Sequence, residues 1–599
     1  MVVPRVQAAI ASAFGEEYRS TDPVVRPSQF ADIQINAAMA LAKKVGVPPR
    51  DAAAKIVDAL DLDGICTAVE ISGPGFINLT FDGTWIEELL NDEATGAAGA
   101  AAPAGPAREP RRVVVDYSSP NVAKEMHVGH LRTTVVGDSL VKVLEALGDT
   151  VLRQNHIGDW GTPFGMLIEH WLEVGEDSPE AALLVDDPSA FYQAARAKFD
   201  ASATEEDGFA TRARLRVVAL QGGDPATFAV WQRLVAQSKR YFNAIYSTLG
   251  ISLTDDHIAG ESSYDAHLAQ LCQELEDLGI ARVSDGALCT FPAGFTGRDG
   301  QPLPLIIRKS DGGYGYGTTD LATIRYRVRD LRADRVLYVV GAPQNVHLRM
   351  VLATARDAGW LPDTVEAVHV QIGNVLGDDG KILKSRSGAP VKLMALLAEA
   401  VDRARAVIDA SRPELTEEER AVTARQVGIG AVKYADLSVG HDTEYVFDFD
   451  RMLALSGNTG PYVQYAAARI RSILRKAGVL EHHLTAKTNT AATDTASRNA
   501  DGGTPATAIA VVEPAERALA LHLLEYGATL SRVGELLEPH RLSTYLFELA
   551  QLFTAFYDQC PVLKAEESVR DSRLALCALV LRRLSGGLEL LGIETPENM

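Results

Sequence analysis

Val113-Val114-Val115-Asp116-Tyr117-Ser118-Ser119-Pro120-Asn121-Val122-Ala123-Lys124-Glu125-Met126-His127-Val128-Gly129-His130 is the stretch whose reading decides the fold. Three successive valines predict a buried strand. The Ser-Ser-Pro-Asn run predicts a loop, and a helix is expected from Leu131. Strand, loop and helix in that order outline a phosphate site, because backbone N–H groups at a helix start attract anions. Gly129 lets a ligand approach the backbone. His127 and His130, three apart, share one face of a helical turn. Alone, such a pair fits an incidental helix start or part of a metal site. No third or fourth ligand with suitable spacing lies nearby, so no metal is assigned.

Composition narrows the class. The chain has 599 residues, room for about three to five domains. Hydrophobic residues make up 47 %, enough for large cores. No apolar run reaches the roughly 18 residues of a membrane span, and the first residues lack a secretory pattern. Five scattered cysteines, with no Cys-x-x-Cys pair, predict reduced thiols and a cytoplasmic protein. The net charge of −21 disfavours a general nucleic-acid coat. It leaves room for local basic tracks, with Arg325, Arg327, Arg329, Arg332 and Arg335 as one candidate and Arg469, Arg471, Arg475 and Lys476 as another. A solvated helix face is the alternative for each.

The pattern divides the chain into parts. Residues 1–92 read as a small α/β unit, with a helix across 32–45, its buried face including Met39 and Leu41, and a strand over 75–81. Residues 93–110 read as an Ala/Gly/Pro linker. Residues 111–449 alternate strands and helices, as in a doubly wound parallel sheet. Within them about 173–300 looks like an insertion without an active-site motif. Residues 450–599 read as helical, broken by a polar stretch at 482–506 expected to be disordered.

The His-x-Gly-His element resembles the signature of class I aminoacyl-tRNA synthetases. With Ser118 to Lys124 ahead of it, the string resembles the arginyl-tRNA synthetase family. Gln154-Asn155-His156-Ile157-Gly158-Asp159-Trp160-Gly161-Thr162 is similar to a second family segment, although Pro163 stands where the family has Gln. Gly377-Asp378-Asp379-Gly380-Lys381-Ile382-Leu383-Lys384-Ser385-Arg386-Ser387-Gly388 resembles the mobile lysine loop of class I enzymes. Ser387 occupies the place of its second lysine, and Lys381 matches the upstream lysine that replaces it.

The resemblance implies a Rossmann-type catalytic domain, an N-terminal additional domain touching the outer corner of tRNA, and an all-helical anticodon-binding domain. It implies ligation of L-arginine to tRNA-Arg using ATP with Mg2+, first at the 2′-hydroxyl, and only with tRNA bound. It assigns Lys124, His127, His130, Lys381 and Lys384 to catalysis, and Gly129 with both histidines and Lys381 and Lys384 to ATP. Such residues suit the chemistry, since in-line attack on the α-phosphate builds charge that fixed donors stabilise. Asp116, Ser119, Asn121, Tyr316, Asp320 and Gln344 are implied at the arginine pocket. A carboxylate there can hold a guanidinium by two planar hydrogen bonds. If a helix begins at Tyr316, spacing of four places Asp320 on the same face. Tyr462, Tyr465 and Met599 are implied near the anticodon, where aromatic rings can stack on splayed bases. A monomer with no membrane partner is expected. The alternatives are a class I synthetase for another amino acid and a non-catalytic tRNA-binding relative. A dinucleotide oxidoreductase would need a Gly-x-Gly-x-x-Gly turn after the first catalytic strand, and none is present.

Overall fold

The computed structural model describes residues 2–95, 109–122, 124–310, 312–384, 391–479 and 508–599. The expected disordered stretch 482–506, Ser387 and most of the 93–110 linker lie outside the described residues. The chain forms two compact units. One comprises Met1–Ala107, Ala466–Ser531 and Tyr545–Gly586; the other Arg108–Tyr465, Arg532–Thr544 and Gly587–Met599. This division differs from the expected boundaries, because pieces of the C-terminal helical region belong to both units.

In the first unit, β1 (Val25–Pro27), β2 (Ile33–Ile35), β3 (Cys66–Ser72) and β4 (Phe76–Phe81) form an antiparallel sheet in the order β1-β2-β4-β3. The strand expected over 75–81 is β4. The helix expected across 32–45 is shorter: α1 runs Ala37–Val45. Ile33 and Ile35 instead pair with Leu79 and Ile77. Leu41 is buried as expected, but Met39 is exposed. The helix Gly83–Thr95 extends past the boundary expected at 92.

The second unit is built on β5 (Arg112–Asp116) and β6 (Thr150–Gln154), joined by α2 (Gly129–Ala146). After a helical insertion that includes α3 (Pro188–Ala201), β7 (Ala281–Ser284), β8 (Ala287–Thr290) and β9 (Leu305–Arg308) make a small antiparallel sheet. Helix α4 (Tyr316–Arg329) then leads to β10 (Arg335–Gly341) and β11 (Glu366–Ile372). Strands β11-β10-β5-β6 form one all-parallel sheet. Val113, Val114 and Val115 are fully buried, as a strand covered on both faces requires. Helix α2 packs closely on the loop after β5: a side chain at Gly137 would lie 2.3 Å from Tyr117 Cβ. Between β5 and β10 the strand order reverses, and in such sheets ligands bind outside the carboxyl ends at that point. The short parallel pair β12 (Val375–Leu376) and β13 (Tyr445–Val446) follows, with α5 (Glu417–Leu437) between them in sequence.

The basic track expected between Arg325 and Arg335 is only partly a surface, with Arg329 and Arg332 exposed. Arg327 and Arg335 are buried in ion pairs with Asp116 and Glu366, and Arg325 is paired with Glu274.

Candidate active site

Asp116 ends β5, and the chain then turns through Ser118 and Ser119, with φ of 70° and 46°. Two adjacent non-glycine residues in the left-handed region are strained, and surrounding bonds must hold them. Ser118 Oγ lies 2.8 Å from Tyr246 Oη and receives a bond from Thr134 Oγ1. Ser119 N donates to Asn155 Oδ1, and Ser119 Oγ donates to Asp116 Oδ1 at 2.9 Å. Asn121 then bridges to Gly158, where a side chain would collide with Asn121 Oδ1.

The two signature histidines are locked by backbone. His127 Nδ1 accepts from Gly129 N at 3.0 Å, and His130 Nδ1 accepts from His127 N at 3.1 Å. An N–H needs a lone pair, so both Nδ1 atoms are unprotonated and each ring carries its proton on Nε2. Burial lowers the pKa of both rings, with Lys124 adding repulsion at His127 and the His127 ring adding it at His130, which falls to about 3. Both are therefore neutral Nε2–H donors at pH 7. Gly129 has a second use: a side chain there would lie 2.8 Å from the His127 ring.

A cavity of about 420 Å³ is lined by Ser119, Asn121, His127, Gly129, His130, Gln344 and Lys384, among others. Lys384 reaches it from a hairpin in which Gly377 N bonds Lys381 O and Leu383 N bonds Val375 O. Lys381 lies at the exposed turn of that hairpin. Lys124 stands apart, its Nζ 4.2 Å from the Tyr192 ring centroid.

A second cavity of about 370 Å³ shares Ser119, Asn121, Val340 and Gln344 with the first. Asp116, Tyr316 and Asp320 line it, together with His156, Glu261 and His347. Tyr316 begins α4, so it and Asp320 share one face. Burial alone would raise the Asp116 pKa, but Arg327 at 2.8 Å and the nearby His156 hold it below the ordinary value. Asp320 Oδ2 receives His347 Nε2 at 2.6 Å, and that bond raises the His347 pKa. His156 Nδ1 bonds Ala259 O at 2.8 Å, which aims Nε2 at Asp320 Oδ1, 3.9 Å away. Glu261 is buried beside Asp159 and Asp320; burial first, then those charges, raises its pKa to about 8. Asp159 accepts from the backbone and hydroxyl of Ser262, a structural use. Glu261, His156 and His347 went unassigned in the sequence. His156 lies inside the quoted Gln154–Thr162 segment and His347 three residues after Gln344, whereas Glu261 belongs to the 173–300 insertion and carries no local signal.

In a third, apolar cavity, Tyr465 and Met599 meet Val407, Ile408, Val427 and Leu455. Arg412 bonds the Met599 carbonyl. Tyr462 is not part of that lining, and its backbone N donates to Thr459 Oγ1.

Among the described residues no three carboxylate, imidazole or thiolate groups converge as a metal cage. Magnesium travelling with a nucleotide takes most ligands from phosphates and water, so this chain's residues supply no closed site for it.

Residues 100–449 match the model of the class I tRNA synthetase (R) catalytic domain, more than half the chain. The chain belongs to the arginyl-tRNA synthetase family. The family's N-terminal domain model matches residues 4–81, and the DALR anticodon-binding domain model matches 463–599. The arginine–tRNA ligase of Thermobifida fusca is 63 % identical over 99 % of this chain and 98 % of its own length. That of Frankia casuarinae is 49 % identical over 100 % and 99 %. Among solved structures, the Plasmodium falciparum arginyl-tRNA synthetase superposes with a TM-score of 0.81 at 27 % identity, covering 100 % of this chain and 98 % of that one. The Thermus thermophilus enzyme gives 0.78 at 25 % identity, with both chains fully covered. These family members share the α/β fold with a parallel sheet and a helical C-terminal region expected from the sequence.

Proposed function

We propose that the two joined cavities carry out arginine–tRNA ligation, the acidic one holding the amino acid and the histidine-lined one holding ATP. The observation that carries this is their shared wall of Ser119, Asn121, Val340 and Gln344. A substrate carboxylate at that wall faces both the nucleotide and its own side-chain pocket. Asp320 and Glu261 offer the acceptors for a guanidinium, with Tyr316 packing beside it and Gln344, Ser119 and Asn121 near the backbone end. Asp116 is neutralised by Arg327 and orients Ser119.

The arginine carboxylate oxygen attacks the α-phosphorus, the bond to pyrophosphate breaks, and arginyl-adenylate forms. His127 and His130 donate Nε2–H bonds to phosphate oxygens without bringing a proton that could be lost. Lys384 and Lys381 follow the charge as it moves to pyrophosphate, and Lys124 adds positive potential at the loop. Magnesium bound to ATP supplies charge neutralisation on the phosphates. A hydroxyl of the terminal adenosine of tRNA-Arg then attacks the arginyl carbonyl and AMP leaves. Tyr465, Tyr462 and Met599 serve the anticodon end of that tRNA, the cavity beside Tyr465 and Met599 being apolar enough to take a base. The enzyme is read as a monomer that works in the cytoplasm, and five cysteines with no disulfide among them support that compartment. No helix among the described residues is long and apolar enough to cross a membrane.

The test is aminoacylation by purified protein with ATP, Mg2+ and tRNA against each of the twenty amino acids. Charging with arginine alone is expected. Charging with another amino acid, or tRNA binding without charging, would reject this reading.

A further inference from the structure

The lysine loop that follows β12 rejoins the described chain at Val391. Its return is stitched to the first signature segment. Val128 N donates to Val391 O at 3.0 Å and Leu393 N donates to Met126 O at 2.9 Å, an antiparallel bridge centred on His127 and Lys392. Beside this bridge Lys392 Nζ reaches Glu125 Oε2 at 2.8 Å. The Glu125 side chain is 14 % exposed and also accepts from Ser189 Oγ at 2.8 Å. Asp187, which caps α3 by accepting from Ala190 N, stands 3.5 Å from the same ammonium. One lysine therefore joins the first signature segment, the chain just after the lysine loop, and the start of an inserted helix. It lines neither substrate cavity.

The described chain is anchored on both sides of the lysine loop. The near end is held by β12 on β13, with Phe447 N bonded to Leu376 O. The far end has the two backbone bonds and the Lys392 bridge. Neutral backbone bonds are individually modest, and a charge-assisted bond is stronger. Without the ammonium, Glu125 and Asp187 would also confront one another as like charges.

We propose that Lys392, acting through Glu125, is a positioning residue for arginine activation, pinning the far end of the lysine loop to the backbone that carries His127. The proposal rests on the reading of the histidine-lined cavity as the ATP site. Lys392 touches no substrate; it holds the backbone segment that carries His127.

The experiment is single-turnover adenylate formation with tRNA, arginine and ATP, alongside steady-state KM values. Lys392→Met and Glu125→Gln are each expected to lower kcat at least tenfold while the arginine KM stays within twofold. The double variant should be no slower than the slower single variant, because both break one bridge. Lys392→Arg, which keeps the bridge, should stay within threefold of wild type. Lys198→Met, which removes an exposed pair with Glu173 from the same inserted helix, should change nothing. The proposal is overturned if Lys392→Met keeps kcat within twofold, if the two single losses multiply, or if Lys392→Arg is as slow as Lys392→Met. It is also overturned if arginine KM rises in step with the fall in kcat, which would mark general loosening. A wild-type protein that charges no tRNA with arginine rejects the ligase reading itself, separately from any variant.

Discussion

Asp320 sits where three segments meet: its own helix α4, His347 after β10, and His156 after β6. Replacing it by Asn removes a charge and sets an NH2 group against guanidinium donors. Loss of a charged partner in a desolvated site costs about 2–5 kcal/mol. Asp320→Asn is expected to raise the arginine KM and lower kcat with the ATP KM unchanged; charging kinetics within twofold of wild type would take Asp320 out of this role. Glu261 makes arginine binding pH-dependent. Its carboxyl, raised to about 8 first by burial and then by Asp159 and Asp320, is mostly protonated at pH 7 in the free pocket. A guanidinium favours the ionised form, so binding releases a proton below that pKa. Raising pH from about 6 toward 8 should therefore lower the arginine KM, by at most about tenfold per pH unit, and then level off. Glu261→Gln should flatten this profile, and a profile parallel to wild type would exclude Glu261 as the titrating group. Tyr316 and Asp320 were named through the family resemblance, and the helix that begins at Tyr316 places them on one face. Glu261 was not, since its chemistry arises from burial beside two other carboxylates, and no local sequence encodes burial.

Helix α2 carries His130 in its first turn, just after His127, and Arg132 two residues on. Arg132, 1 % exposed, donates to Asp436 of α5 and to the carbonyls of Gly440 and Thr443. Burial outweighs Arg132 at Asp436 and leaves its pKa near 6. The pair is thus a costly one whose disruption is costlier still. Arg132→Met should lower stability by about 3–5 kcal/mol, and Arg132→Met with Asp436→Leu should recover much of it. Denaturant unfolding of the single and double variants checks this; an additive double variant would contradict it. In the hairpin after β12, Lys384→Ala should slow activation on the order of a hundredfold, the roughly 2.7–4 kcal/mol worth of a preorganised donor, with little change in ATP KM. A rate equal to wild type in single-turnover assays would make Lys384 a surface lysine. At this scale the valine strand and its helix could be read from pattern alone. Residues 32–36 could not, because Ile33 and Ile35 suit an alternating strand as well as a helical face, and only their partners Leu79 and Ile77 decide between them.

The first compact unit is assembled from both halves of the chain. Arg517 grips Asp32 with two bonds, at 3.0 and 2.7 Å, and donates a third to Phe81 O. With the pair partly exposed, Arg517→Ala should cost about 1–3 kcal/mol and lower hydrogen-exchange protection in β2 and β4, where Asp32 also holds Phe81 N. Unchanged exchange at those strands would show that the sheet stands without this clamp. Neither the interleaving of the units nor the Arg517 clamp was visible in the sequence, since contacts across more than four hundred residues leave no periodic trace. The order of the parallel sheet has a consequence for the ribosome. Strand β5 emerges early, yet its neighbour β10 begins at Arg335, more than two hundred residues later. At typical elongation rates of roughly 5–20 residues per second, Val113–Val115 wait on the order of ten to forty seconds for that side of the sheet to be covered. During each round of translation the nascent polypeptide therefore carries a bare, valine-rich edge, and a holdase chaperone has an opportunity there.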